Sequence, residues 1–187
     1  MLSQKEELKY FAETDCLTAV YNRRKTESII NNEFIRSKRN GSSFSVAIFD
    51  LNKFKAINDN KGHDVGDAIL KTFAQAVVSR IRTIDTFGRW GGDEFVLVCP
   101  DTDQNGAENL LAQLKDSVKM ELDKIVTNLG FSCGVSEFLK TDVHYSEVLK
   151  RADHNLYLSK KMSWSKPPFR PVVDKVQETC IRSVCQK

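Results

Sequence analysis

The sequence predicts an α+β domain, helices flanking a sheet, and three observations carry that expectation. Residues 43–51 place Phe44, Val46 and Ile48 on one parity, the period of a strand with a buried face. In Arg89-Trp90-Gly91-Gly92-Asp93-Glu94-Phe95-Val96-Leu97-Val98 two glycines stand between β-forming flanks, so the stretch reads as a hairpin. Apolar residues at helical spacing fill other segments, as in Val65, Ala68, Ile69, Phe73, Ala76, Val77 and Ile81. A length of 187 residues suits one domain with short appendages.

Residues 1–12 have helical composition, with Leu2, Leu8 and Phe11 among charges, and read as the end of a linker too short to stand alone in water. Asn22 is placed to cap a helix that carries Ile29, Ile30 and Phe34 on one face and ends near Asn40-Gly41. The strand at 43–51 puts Asp50 on the parity of Phe44, Val46 and Ile48, with Asn52 next on that side, so a carboxylate and an amide leave the sheet together. A polar, glycine-containing loop leads to Asp64, read as the cap of the next helix, with Asp67 in its first turn. Gly91 and Gly92 are read as the two turn centres of the hairpin, each free to take positive φ, holding Asp93 and Glu94 at the tip. The run from Phe95 to Cys99 is apolar throughout, as a central strand should be. A helix over about 105–123 follows, with Ala107, Leu111, Leu114, Val118 and Leu122 in its stripe. A strand over 125–135 containing Gly130 and Gly134 comes next, then a helix from Tyr145 to about Met162 with Val148, Leu149, Ala152 and Leu156 inward. Pro167, Pro168 and Pro171 break the pattern, and residues 166–187 read as a polar tail.

Charge is nearly balanced, 28 basic against 25 acidic residues, so nothing global calls for nucleic acid or an anionic membrane, and any anion binding is local. Cys16, Cys99, Cys133, Cys180 and Cys185 are odd in number and form no C-x-x-C pair, which argues against a disulfide framework or a zinc site and fits a reducing cytosol. Without a signal-peptide pattern or a long apolar run, the segment is expected to be cytoplasmic, with no membrane insertion of its own.

Gly91-Gly92-Asp93-Glu94-Phe95 spells the signature of the GGDEF family, the diguanylate cyclases, and the resemblance extends along the chain. Thr14-Asp15-Cys16-Leu17-Thr18, Asn22-Arg23-Arg24, Phe49 to Lys55, Asn58-Asp59, Gly62 to Asp67 and Ala152-Asp153 through Lys160 follow in the family's order, over roughly residues 13–165. The resemblance implies a GGDEF domain at 13–165 with a largely antiparallel sheet, in the palm-like architecture of nucleotide cyclases. It implies that two GTP molecules are condensed into cyclic di-GMP across a homodimer, with an upstream sensor or receiver domain in a longer parent protein, which would place this segment on the cytosolic side of any membrane anchor.

The residue roles implied by the resemblance are chemically consistent. Asp50, Asp93 and the Leu51 carbonyl match the ligands of two Mg2+ or Mn2+ ions per half-site, with Glu94 as a further ligand or an aid to deprotonation of the ribose 3′-hydroxyl; such ions take hard oxygen ligands. Lys55 and Lys160 match phosphate-contacting lysines, and the turn from Asn52 through Phe54 to Lys55 offers backbone N–H groups to the same phosphates. Asn58 and Asp67 match the readers of the guanine edge, whose N1–H and 2-amino group suit a carboxylate acceptor. Arg82 and Asp85 have the R-x-x-D form of the family's inhibitory product site. Two departures stand out: Ala19 where glycine is usual, and Trp164 where relatives carry an arginine near the phosphates, with Lys161 as the nearest substitute.

Two other functions compete with this one. A silent GGDEF domain acting as a cyclic di-GMP receptor or dimerisation module would keep the fold but lose the metal carboxylates, and Asp50, Asp93 and Glu94 are all present. A polymerase palm shares the two-metal logic but would bring a basic stripe that is absent. His63, His144 and His154 lack paired spacing and read as structural or surface histidines.

Overall fold

The protein is represented by a computed structural model that describes residues 3–164, with the side chains of residues 162–164 left out. Ten elements follow in order: α1 (Gln4–Glu13), α2 (Arg23–Asn40), β1 (Phe44–Leu51), α3 (Phe54–Lys61), α4 (His63–Val78), β2 (Thr86–Gly91), β3 (Glu94–Pro100), α5 (Gln104–Asp123), β4 (Phe131–Glu137) and α6 (Ser146–Trp164). The strands form one antiparallel sheet in the order β2-β3-β1-β4. The expected tail at 166–187 lies outside the described residues.

Both faces of the sheet are covered. On one, Ala47, Phe49 and Leu51 of β1 and Phe95, Leu97 and Cys99 of β3 pack against Ile69, Phe73 and Val77 of α4 and Leu111, Leu114 and Val118 of α5. On the other, Phe44, Val46, Ile48, Val96 and Val98 meet Ile30 and Phe34 of α2 and Val148, Ala152 and Leu156 of α6. β1 is therefore buried on both parities, where its sequence alternation pointed mainly to one. Asp50 ends the parity that faces α2 and α6.

Local chemistry sets several boundaries as expected. Asn22 accepts from the Lys25 N–H at the start of α2, and Gly41 closes that helix at φ 75°. Ala19 sits at φ 59°, the left-handed conformation that glycine takes freely and that costs an alanine about 1 kcal/mol. α1 opens with a capping box between Ser3 and Glu6 and has no buried residue.

Four expectations are corrected. The loop after Asn52 contains a helix, α3, too short and polar for its period to show. Asp64 is not the cap of α4; Gly62, at φ 87° and ψ 162°, closes α3 and opens α4 without a side-chain cap, so Asp64 lies inside the first turn and Asp67 just beyond it. The hairpin turn falls one residue later than expected, because Gly91 pairs with Glu94 and leaves Gly92-Asp93 at the tip. The last strand starts at Phe131, not near Ile125, since residues 124–130 fold into turns after α5.

Gly134 fixes a close approach between the sheet and α6. A Cβ there would stand 2.1 Å from the Leu156 nitrogen and 2.3 Å from the Ala152 carbonyl oxygen, backbone atoms of α6 that have nowhere to move. Asn155 reinforces the contact by donating to the Val135 carbonyl at 2.7 Å. Gly134→Ala is expected to destabilise the fold by about 3 kcal/mol, read from the urea midpoint; an unchanged midpoint would contradict this packing.

Candidate active site

Strand register brings the acids together. Asp50 stands opposite Glu94 on β3 and Ser132 on β4, so all three project from the same face at the same end of the sheet. The tip folds back over that end, with the Leu51 N–H donating to the Asp93 carbonyl at 3.4 Å. Gly92 holds φ 53°, which a residue without Cβ takes freely.

Arg89 clamps the tip from behind. Its Nε and Nη2 donate to the Gly92 carbonyl at 2.9 and 2.8 Å, while Nη1 reaches Asp15 at 3.2 Å. Asp15 in turn accepts from the Thr18 amide at 2.9 Å and its hydroxyl at 2.7 Å. Partial burial opposes ionisation of Asp15, but the hydrogen bonds from Thr18 and the Arg89 charge outweigh it and hold its pKa below the ordinary value. Sequence reasoning gave Arg89 no role; its spacing ahead of the glycines was the available signal.

The acids at the tip behave oppositely. Asp93 is raised above the usual carboxylate pKa by burial and by the Asp50 charge, and Glu94 by burial and by the charges of Asp50 and Asp93. Lys160 Nζ lies 2.6 Å from Asp50 Oδ2, so the lysine expected on phosphate holds one of the expected metal carboxylates. Among the described residues no three His, Cys, Asp or Glu side chains are close enough to grip one ion together. Magnesium does not need three, since it is held through one or two carboxylates plus phosphate oxygens and water. The donor set fits: hard oxygens, surplus negative charge, and an ammonium standing against Asp50.

A cleft of about 510 Å3 opens beside these groups. Of the expected residues it is lined by Asp50, Leu51, Asn52, Phe54, Lys55, Asp93 and Lys160, and it adds Lys53, Asn128 and Gly130. Lys53 caps the start of α3 at φ 59° and no side chain accepts from that helix's first N–H groups, which belong to residues that line the cleft. Asn128, at φ 62°, and Gly130 belong to the turn before β4; the Gly130 carbonyl accepts from the Asn52 N–H at 2.9 Å. The asparagine and glycine around Leu129 were a turn signal that the expectation of a strand from 125 obscured. The Asn52 side chain is committed to Ser132, whose hydroxyl donates to it at 2.8 Å.

Asn58 and Asp67 do not line this cleft. They occupy neighbouring helices, Asp67 exposed on α4 and Asn58 half-buried on α3 with an Oδ1 that accepts no hydrogen bond. Arg82 and Asp85 lie at the far end of β3. Arg82 donates to Asp85 through Nε at 3.2 Å and Nη2 at 2.9 Å and to the Thr102 hydroxyl at 2.7 Å, and it lines a separate cavity of about 810 Å3 with Arg80, Asp101 and Asp103. Lys161 lies over the Tyr157 ring at 4.4 Å. The Trp164 side chain lies outside the described residues.

A four-stranded antiparallel sheet with carboxylates at the ends of its two central strands defines the class. The chain belongs to the GGDEF family: the family's model, described as "Diguanylate cyclase, GGDEF domain", matches residues 12–165. It is 34% identical over 164 residues to the probable diguanylate cyclase DgcC of Escherichia coli K12, covering 86% of this chain and 44% of that protein. The chain thus spans less than half the length of that relative. Among solved structures it resembles the Pseudomonas aeruginosa diguanylate cyclase SiaD in complex with its activator SiaC, with a TM-score of 0.77 and 36% identity over 84% of this chain and 62% of that one. It also resembles the coiled coil and GGDEF domain of Caulobacter crescentus DgcB in complex with c-di-GMP, with a TM-score of 0.78 and 25% identity over 84% and 85% of the two chains. No helix among the described residues is long and apolar enough to cross a membrane.

The raised Asp93 pKa has a thermodynamic consequence. A carboxyl whose folded pKa exceeds its unfolded one binds more protons when folded, so its ionisation weakens the fold at neutral pH and not below the ordinary carboxylate range. Asp93→Asn is expected to raise the thermal midpoint of the metal-free protein at neutral pH, with the gain vanishing in acid. A midpoint that falls at neutral pH would show that Asp93 is not strained by its neighbours.

Proposed function

We propose that this domain condenses two GTP molecules into cyclic di-GMP and releases two pyrophosphates. The observation that carries this reading is the convergence of Asp50, Glu94 and Asp93 at one sheet end, with raised pKa values for the latter two and Lys160 on Asp50. A site that accumulates uncompensated carboxylates and recruits its own ammonium is suited to cations and to the phosphates they accompany.

Asp50, Asp93 and the Leu51 carbonyl are the groups to hold Mg2+ or Mn2+. When bound, two such ions would lower the pKa of the attacking hydroxyl and neutralise charge on the leaving pyrophosphate. Glu94, with its raised pKa, accepts the proton of the ribose 3′-hydroxyl or adds a ligand. Lys55, Lys160 and the uncapped start of α3 receive the triphosphate, with Phe54 alongside. Asn58 and Asp67 read the guanine edge. Each 3′-oxygen forms a bond to the partner nucleotide's α-phosphorus while the bond from that phosphorus to pyrophosphate breaks. One cleft holds one nucleotide, so two domains meet face to face as a homodimer. Arg82 lies at the second cavity, where its guanidinium suits the phosphates or guanine faces of returning product. The cytosol is the compartment that supplies GTP and magnesium to such a site.

A silent receptor remains the competing reading because Trp164 replaces the arginine that relatives place near the phosphates. The two are separated by incubating the purified protein with GTP and Mg2+ or Mn2+ at several protein concentrations. Cyclic di-GMP that rises more steeply than protein concentration, and is lost in Asp93→Ala, is the expected result; no product even after forced dimerisation would favour the receptor. Arg82→Ala is expected to abolish inhibition by added cyclic di-GMP while Mn2+ binding stays unchanged, and retained inhibition would remove Arg82 from that role.

A further inference from the structure

The joint between α3 and α4 is tighter than its role as a connection requires. Gly62 is at once the end of α3 and the start of α4, so the two helices turn on a single residue and lie against one another. At their contact Gly66 is buried, and a Cβ on it would stand 1.9 Å from Asn58 Oδ1, 3.0 Å from Asn58 Cγ and 3.2 Å from Phe54 Cζ. The first distance is far inside any contact that real atoms make, so the amide of Asn58 rests directly on the Gly66 backbone.

That seat is also where polar chemistry is incomplete. Asn58 Oδ1 is buried and is the one buried side-chain oxygen or nitrogen among the described residues with no hydrogen-bond partner. A buried acceptor left without a partner is costly and uncommon in a folded chain. Packing against Gly66, and not a protein hydrogen bond, therefore decides where this amide sits. Phe54, which shares the contact, lines the nucleotide cleft, and Asp67 follows Gly66 directly on α4. One missing methyl group thus governs the placement of the Asn58 amide, one of the two groups assigned above to the base.

We propose that Gly66 is a positioning residue for base selection, acting through Asn58. This rests on the reading of Asn58 as a guanine-edge contact. The Cβ-less surface of α4 gives the amide its seat, and any side chain at 66 displaces it from the position at which a purine edge is read. Hydrogen-bonding sites of this kind discriminate strongly when their polar groups are aligned and lose that discrimination when they are not. Metal binding, built on β1 and the hairpin tip, is independent of this seat.

The test is a double-mutant cycle on affinity for the α,β-methylene analogues of GTP and ATP with Mg2+, for the unaltered protein, Asn58→Ala, Gly66→Ala and the double variant. Gly66→Ala is expected to reduce the guanine-over-adenine ratio by about tenfold, as Asn58→Ala does, and the double variant to lose no more than either single one. Mn2+ affinity measured without nucleotide stays unchanged throughout. A ratio unaltered by Gly66→Ala, or a second tenfold loss when it is added to Asn58→Ala, overturns the inference while leaving the assignment of Asn58 intact. A ratio unaltered by Asn58→Ala removes that assignment, and the inference with it. If Gly66→Ala alone does not fold, recovery of the fold in the double variant supports the seat, and failure to recover overturns it.

Discussion

Repulsion among Asp50, Asp93 and Glu94 is the constraint around which the structure is arranged. Like charges at one end of a sheet resist being held together, and the pKa values of Asp93 and Glu94 are raised by burial first and by that repulsion second. The apolar sheet beneath, buried on both faces, supplies the stability that lets the fold tolerate it. Arg89 holds the hairpin tip by the Gly92 carbonyl and not by the Asp93 carboxylate, and Asp15 pairs with the rest of the guanidinium. A clamp on the Asp93 side chain itself would have neutralised the charge that the site needs.

Much of this was legible in the sequence because the relevant signals are short in range. The hairpin, the alternation that carries Asp50 and the caps at Asn22 and Gly41 each depend on residues within a few positions of one another. The corrections arise where pairing register and packing, and not composition, decide the outcome. Whether the turn centres on Gly91 or Gly92 depends on which residue pairs with Glu94, and that register includes a bulge between Arg89 and Gly91. α3 has eight residues and no buried one, so its apolar pattern carries little information; it persists because Phe54 and Ile57 lean on the core beside α4. Lys160 could be matched to phosphate by motif, but its contact with Asp50 joins α6 to β1 across the fold.

Glycines show the same division. Gly92 is readable from its motif, since a hairpin tip calls for positive φ. Gly134 and Gly66 have ordinary backbones, and what demands them is the proximity of another helix. Nothing local in the sequence separates a glycine of this kind from one that could be replaced by alanine. The difference matters here because Gly134 sets how α6, and hence Lys160, lies over the sheet, while Gly66 sets how α3 lies on α4.

Asp50 and Glu94 lie at one end of the β1–β3 pair, and Arg82 reaches Thr102 just beyond the other end. β3 is buried through its middle residues and paired on both sides, which makes it a poor hinge. On the proposed reading, a ligand at Arg82 therefore cannot control the carboxylates by bending the sheet between them. It can control them by restraining how two domains approach, since a 3′-hydroxyl held in one cleft has its target phosphorus in the other. Regulation through the encounter of rigid bodies asks nothing of the strained carboxylates, and leaves their geometry free to be set by the chemistry alone.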